Sequence, residues 1–144
     1  MIWIIGGTKD SREIFEKLTE ETDRNILVST ATEYGGKLLE EYIGKNEDGK
    51  RKLKVISERL NEEQMKKLIQ KESIKLIVDA SHPYAVNVSS SAIKVTDKMN
   101  VKYIRFERKM LDYGSENVKK FDSVIDVTEF VRKMENKNIL STLG

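Results

Sequence analysis

Cysteine is absent from this chain of 144 residues, which excludes disulfides and thiolate metal sites. Histidine occurs once, as His82, and no His or Cys cluster is left to hold a metal. Neither sign of charge dominates: Lys and Arg total 26 against 24 Asp and Glu, for a formal charge of +2. The lysines are interspersed with glutamates, the pattern of solvated helix faces. That balance argues against a general nucleic-acid binder, because the phosphate backbone demands clustered positive charge. A long hydrophobic run is also missing. The opening "MIWII" is too short for a membrane span or a signal core and lacks a basic flank, so it reads as a first strand. A soluble cytoplasmic protein with one core-forming domain of ordinary size is the expectation.

What is present is an alternation of apolar runs and helical patterns. Runs at 2–5, 26–32, 53–57, 74–80, 102–106 and 123–127 read as strands, with a seventh at 138–144. After the first run, Asp10 and Glu13 have capping-box spacing, and Ile14, Phe15 and Leu18 fall on one helix face. A short helix is expected at 36–44 with Gly44 as its C-cap. Asn61 and Gln64 form a second capping box, with Leu60 placed to staple onto Met65. Ala85, Val88, Ala92, Val95 and Met99 repeat at threes and fours, an amphipathic helix. Residues 107–121 read as an irregular connection, and Thr128 as the cap of a helix carrying Phe130, Val131 and Met134.

Alternating strands and helices imply right-handed βαβ units and a parallel sheet. The fold expected is α/β, a Rossmann-like doubly wound parallel sheet with helices on both faces and the first strand central. In such a sheet the ligand lies beyond the carboxyl ends of the strands. A domain over 1–137 is expected, with 138–144 beginning a second α/β half, so that the chain reads as part of a longer one.

Three stretches at those carboxyl ends carry chemistry. "GGTKDSR" (6–12) joins the first strand to the first helix. Gly6 and Gly7 permit a tight turn and close backbone approach, and a helix start favours an anion. Thr8 and Ser11 add hydroxyls, Lys9 and Arg12 charge. The pattern is neither G-x-G-x-x-G nor a P-loop, so an ordinary capped turn stays open as an alternative. At the end of the second strand stand Ser29, Thr30 and Thr32, with no carboxylate before Glu33. A dinucleotide site without an acid there suits NADP better than NAD. "ASHPY" (80–84) holds the only proline, Pro83, beside the only histidine. Pro83 biases His82 toward an extended exit from the strand, which would place His82 and Tyr84 along a nicotinamide or substrate edge. A helix with proline in its first turn is the competing reading. Arg105 and Arg108, ending the fifth strand, would suit carboxylates or phosphates or form a surface Arg–Glu cluster.

Taken in order, "GGTKDSRE", "VSTATEYGG", "SERLN", "IVDASHPYA" and "YIRFER" resemble the precorrin-6A reductase family, including its cobalt-precorrin form. The chain departs in Ser81, where threonine is expected, and in "NEDGKRK", which resembles a loop insertion. The resemblance implies NADPH-dependent reduction of a double bond of a tetrapyrrole substrate, precorrin-6A or its cobalt form, in cobalamin biosynthesis. It implies that the chain matches the amino-terminal portion of the family. Carried over by position, it makes Gly6, Gly7, Thr8, Ser11 and Arg12 NADPH contacts, with Ser29, Thr30 and Thr32 for the adenosine ribose phosphate. It adds Ser81 to the cofactor site and sets Tyr34, His82 and Tyr84 toward the nicotinamide and macrocycle, with His82, Tyr84 or solvent as proton donor. Arg105 and Arg108 become anchors for the substrate's carboxylates.

Two other classes compete. A short-chain or epimerase-type reductase would need Tyr-x-x-x-Lys on a helix after "SHPYA", and none occurs. A non-catalytic nucleotide-binding module would share the glycine turn without the chemistry.

Overall fold

The computed structural model describes residues 1–46, 49–108, 114, 118–134 and 138–139. The chain divides into two compact units, residues 1–108 and 109–144. In the first, a five-stranded parallel sheet runs β3-β2-β1-β4-β5, from β1 (Ile2–Ile5), β2 (Ile26–Ser29), β3 (Leu53–Ile56), β4 (Leu76–Asp79) and β5 (Lys102–Arg105). β1 is central, with Ile2 opposite both Ile26 and Leu76. The helices between the strands are α1 (Lys9–Glu21), α2 (Glu33–Asn46), α3 (Glu62–Lys71) and α4 (Val86–Met99).

The three central strands, β2, β1 and β4, are almost uniformly apolar because both faces are covered. Trp3, Ile5, Leu27 and Ile77 project to one face, against Met65 and Ile69 of α3 and Ala92 and Val95 of α4. Ile4, Ile26, Val28 and Val78 project to the other, against Phe15 of α1 and Leu39 of α2. Phe15 meets Tyr42 edge-on, ring centres 5.6 Å apart, which locks α1 to α2. The expected doubly wound α/β architecture is what forms, with β1 flanked by β2 and β4.

Local signals were read less well than the fold. α1 starts at Lys9, next to the expected Asp10, but its capping box lies two residues earlier than Asp10–Glu13: Thr8 Oγ1 accepts the Ser11 N–H and Ser11 Oγ accepts the Thr8 N–H, each at 3.1 Å. α2 extends past both ends of the expected 36–44. Thr32 Oγ1 accepts the Gly35 N–H, so the two glycines lie in the first turn, and Gly44 lies inside the helix rather than capping it. The Asn61–Gln64 box does form, with both bonds at 2.9 Å. Pro83 sits in a turn ahead of α4, closed by Ala85 N–H donating to the His82 carbonyl at 2.8 Å, so it is not in the helix's first turn.

The second unit corrects the expected strand at 123–127. Residues Val124–Arg132 form helix α5, with Ser123 as N-cap accepting the Asp126 N–H. Thr128 is inside it, donating to the Val124 carbonyl at 2.8 Å. Apolar residues at 124, 125 and 127 fit both periods, and a serine cap three residues before Asp126 decides for the helix. The expected run at 138–144 lies, beyond 139, outside the described residues. Among the described residues no helix is long and apolar enough to cross a membrane.

Candidate functional site

The carboxyl ends of β3, β2, β1 and β4 open onto one cleft of about 640 Å³ in the first unit. Its floor is Trp3, Ile5 and Met65. Its wall runs from Glu58 and Arg59 past Thr30 and Thr32, over Gly6 and Gly7, to Ser81, His82 and Tyr84. On the other side of the glycine turn a smaller recess of about 360 Å³ is bordered by Thr8, Asp10, Pro83, Phe106 and Arg108. His82 borders both.

The glycine turn is built for close approach. Gly7 has φ +108°, a conformation only glycine adopts without strain. A Cβ on Gly6 would lie 3.0 Å from Ser11 Oγ and 3.2 Å from Val28 Cγ1. Ser11 is buried, and its Oγ accepts from Gly7 and Thr8 while donating to the Thr8 carbonyl at 2.7 Å. Thr8 Oγ1 donates to the Ala80 carbonyl at 2.8 Å, tying the turn to the exit of β4. Both hydroxyls therefore hold the turn's shape. Arg12 is outside both recesses, its Nε 3.9 Å from Glu16.

At the end of β2 the three hydroxyls differ. Ser29 is buried and accepts the Trp3 indole N–H at 2.9 Å. Thr30 is buried and donates to the Thr32 carbonyl at 2.9 Å. Thr32 is exposed and lines the cleft. Tyr34 is 74% exposed and is not part of the cleft wall.

Beneath the β4 exit lies a buried polar network that sequence reasoning missed. Asp79 is fully buried, its Oδ1 accepting the Ser81 N–H at 3.0 Å and its Oδ2 the Tyr103 hydroxyl at 2.7 Å. Arg105 Nη1 lies 2.8 Å from Asp79 Oδ2 and donates to Ser81 Oγ at 3.0 Å and Ser89 Oγ at 2.6 Å, while its Nε reaches Glu107 at 2.9 Å. Burial pushes the Asp79 carboxyl up, but hydrogen bonds from Ser89, Ser81 and Tyr103 outweigh it and hold the group below its usual range. Burial, with the bond to Asp79, pushes the Tyr103 hydroxyl up to about 12. For Arg105, burial opposes the charge and the carboxylates of Glu107 and Asp79 more than restore it. These shifts favour the charged forms of Asp79 and Arg105, and Arg105 faces inward rather than into the cleft. Arg108 pairs instead with Asp10 across the smaller recess.

Ser81 is buried above this network, while His82 and Tyr84 are exposed, their rings 5.1 Å apart. His82 Nδ1 accepts the Tyr84 N–H at 3.2 Å, so a neutral His82 carries its proton on Nε2. The structure thus brings Gly6, Gly7, Ser29, Thr30, Thr32, Ser81, His82 and Tyr84 to one cleft. Glu58 and Arg59 were missed, although charged residues directly following a strand in an α/β pattern are at the ligand end of the sheet. Asp79 had a comparable signal: a lone carboxylate closing an apolar strand must find partners.

The sequence pattern of the family described as Precorrin-6x reductase CbiJ/CobK matches residues 1–144. The chain is 45% identical over 106 residues to the cobalt-precorrin-6A reductase of Methanocaldococcus jannaschii, covering 74% of this chain and 39% of that protein. It is 29% identical to the cobalt-precorrin-6A reductase of Methanococcus maripaludis, over 99% of this chain and 54% of the relative. The chain therefore spans about half, or less, of the length of these relatives. A solved structure of CobK precorrin-6A reductase superposes with a TM-score of 0.60 at 18% identity, over 79% of this chain and 40% of that one, a likeness of fold. With the family pattern met from the first residue to the last, the chain belongs to the Precorrin-6x reductase CbiJ/CobK family.

Proposed function

We propose that this chain is the cofactor-holding portion of a cobalt-precorrin-6A reductase, an oxidoreductase of cobalamin biosynthesis that uses NADPH. The observation that carries the reading is a single cleft running from a carboxylate-free β2 end, across the glycine turn, to the His82–Tyr84 edge. The names of the relatives support the reaction. Bound there, a dihydronicotinamide would supply the hydride that saturates a double bond of the tetrapyrrole macrocycle.

The residues present fit such a group. Gly6 and Gly7 let a pyrophosphate approach the backbone, Gly7 through its positive φ and Gly6 through its close packing on Ser11 and Val28 behind the turn. Thr8 and Ser11 keep that turn in shape, and Arg12 adds charge from α1. Ser29 and Thr30 build the β2 rim, and Thr32 offers its hydroxyl to the adenosine side. Ser81, His82 and Tyr84 border the nicotinamide and macrocycle side, with His82, the Tyr84 hydroxyl or solvent as the proton donor. Tyr34 and Arg108 lie outward for the macrocycle and its carboxylates, and Arg105 contributes through the network that holds Ser81. Positioning of donor and acceptor is the main service of such a site.

Calorimetric titration of the purified chain with NADPH and with NADH tests the cofactor reading. Saturable NADPH binding with NADH at least about tenfold weaker, a difference of about 1.4 kcal/mol, is expected. No saturable binding of either nucleotide would overturn it.

A further inference from the structure

We propose that Arg59 selects the phosphorylated cofactor by meeting its 2′-phosphate, an assignment that rests on the cofactor reading above. Among the described residues lining the cleft, Arg59 is the one Lys or Arg. It is exposed, with no hydrogen bond or ion pair among the described residues, whereas Arg105 and Arg108 are both paired.

Its position follows from the sheet. β3 pairs in parallel with β2, Ser29 opposite Ile56, and the Thr30 N–H donates to the Ile56 carbonyl at 2.8 Å. The chain leaving β3 therefore emerges beside Thr30 and Thr32, the strand end where a dinucleotide's adenosine ribose is read. Ser57 is pressed against α2, and Leu60 packs into the apolar cluster containing Met65, with Asn61 capping α3 directly after it. Arg59 thus stands between residues that pack against α2 and α3, with its own side chain exposed at the cleft.

A 2′-phosphate needs charge compensation that the nearby hydroxyls do not supply. Ser29 and Thr30 are buried and bonded within the protein. A guanidinium gives two parallel charge-assisted donors, the match a phosphate demands. Glu58, also on the wall, has the opposite preference, because a carboxylate suits an unmodified ribose hydroxyl. Discrimination at this rim is thus a contest between adjacent side chains that Arg59 wins when the phosphate is present.

The test is calorimetric binding of NADPH, NADH, adenosine 2′,5′-bisphosphate and 5′-AMP to the full chain and to Arg59→Ala, Arg59→Lys and Glu58→Gln. Arg59→Ala is expected to weaken NADPH and the bisphosphate about 10- to 100-fold, leaving NADH and 5′-AMP within about twofold. Arg59→Lys should fall between, keeping the charge but losing the paired donors. Glu58→Gln should leave NADPH at least as tight as in the unmodified chain and weaken NADH. If Arg59→Ala lowers NADPH and NADH equally, or changes neither, the assignment is overturned while the cofactor reading stands. If the unmodified chain binds no nucleotide, both fall.

Discussion

Asp79 Oδ2 and Arg105 Nη1, 2.8 Å apart across the β4–β5 pair, form an ion pair whose acidic member is fully buried. The two residues are opposite each other in the parallel register, so sheet pairing itself brings them together. Ser81, one step from the exposed His82, bonds to both. The edge facing the cleft is therefore set by a buried charge pair rather than by its own loop.

Removing one partner of this pair strands the other. Asp79→Ala should cost about 3 kcal/mol in urea unfolding, because Arg105 loses the buried carboxylate that balances its charge and Tyr103 loses its acceptor. The double variant Asp79→Ala/Arg105→Ala should be less destabilised than the sum of the two singles. Additive losses would mean the pair is not coupled.

The same network has a pH signature, and its sign differs at the two ends of the scale. Asp79 is held below its ordinary range, so its contribution is present above the unfolded carboxylate value of about 4 and is lost as pH falls through the lower folded value. Glu72, held down by Lys54, acts in the same direction. Tyr103 is raised to about 12, so its contribution is full below about 10 and lost as pH rises toward about 12. In a phenolate absorbance titration Tyr103 should ionise late, and Asp79→Asn should bring that step back toward the ordinary tyrosine value. A titration unchanged by the substitution would sink the account.

Gly36 is a packing glycine. A Cβ there would fall 1.8 Å from Ser57 Oγ, so Gly36→Ala should lose about 1–3 kcal/mol by overpacking. Ser57→Ala removes the obstructing oxygen and should restore most of that loss in the double variant, measured by thermal or urea unfolding. Failure of the rescue would place the strain elsewhere.

The sequence by itself determined the architecture. Strand runs without polar alternation require cover on both faces, and the helices between them supply it, so the central place of β1 and the ligand end of the sheet followed from periodicity and handedness alone. The glycine turn was legible because Gly7 holds a positive φ that an ordinary side chain would strain. Helix limits were decided more locally than the pattern suggested: Thr8 and Ser123 each win a start by offering an oxygen to a free N–H three residues on. Only the tertiary structure decided which charges are spent and which are available. Arg105 and Arg59 look alike in the sequence, but register places Arg105 over a buried carboxylate and leaves Arg59 without a partner among the described residues on the cleft wall. The two pairs that take Arg105 and Arg108 out of the cleft, Asp79 to Arg105 and Asp10 to Arg108, span long stretches of chain, and no window of sequence carries them.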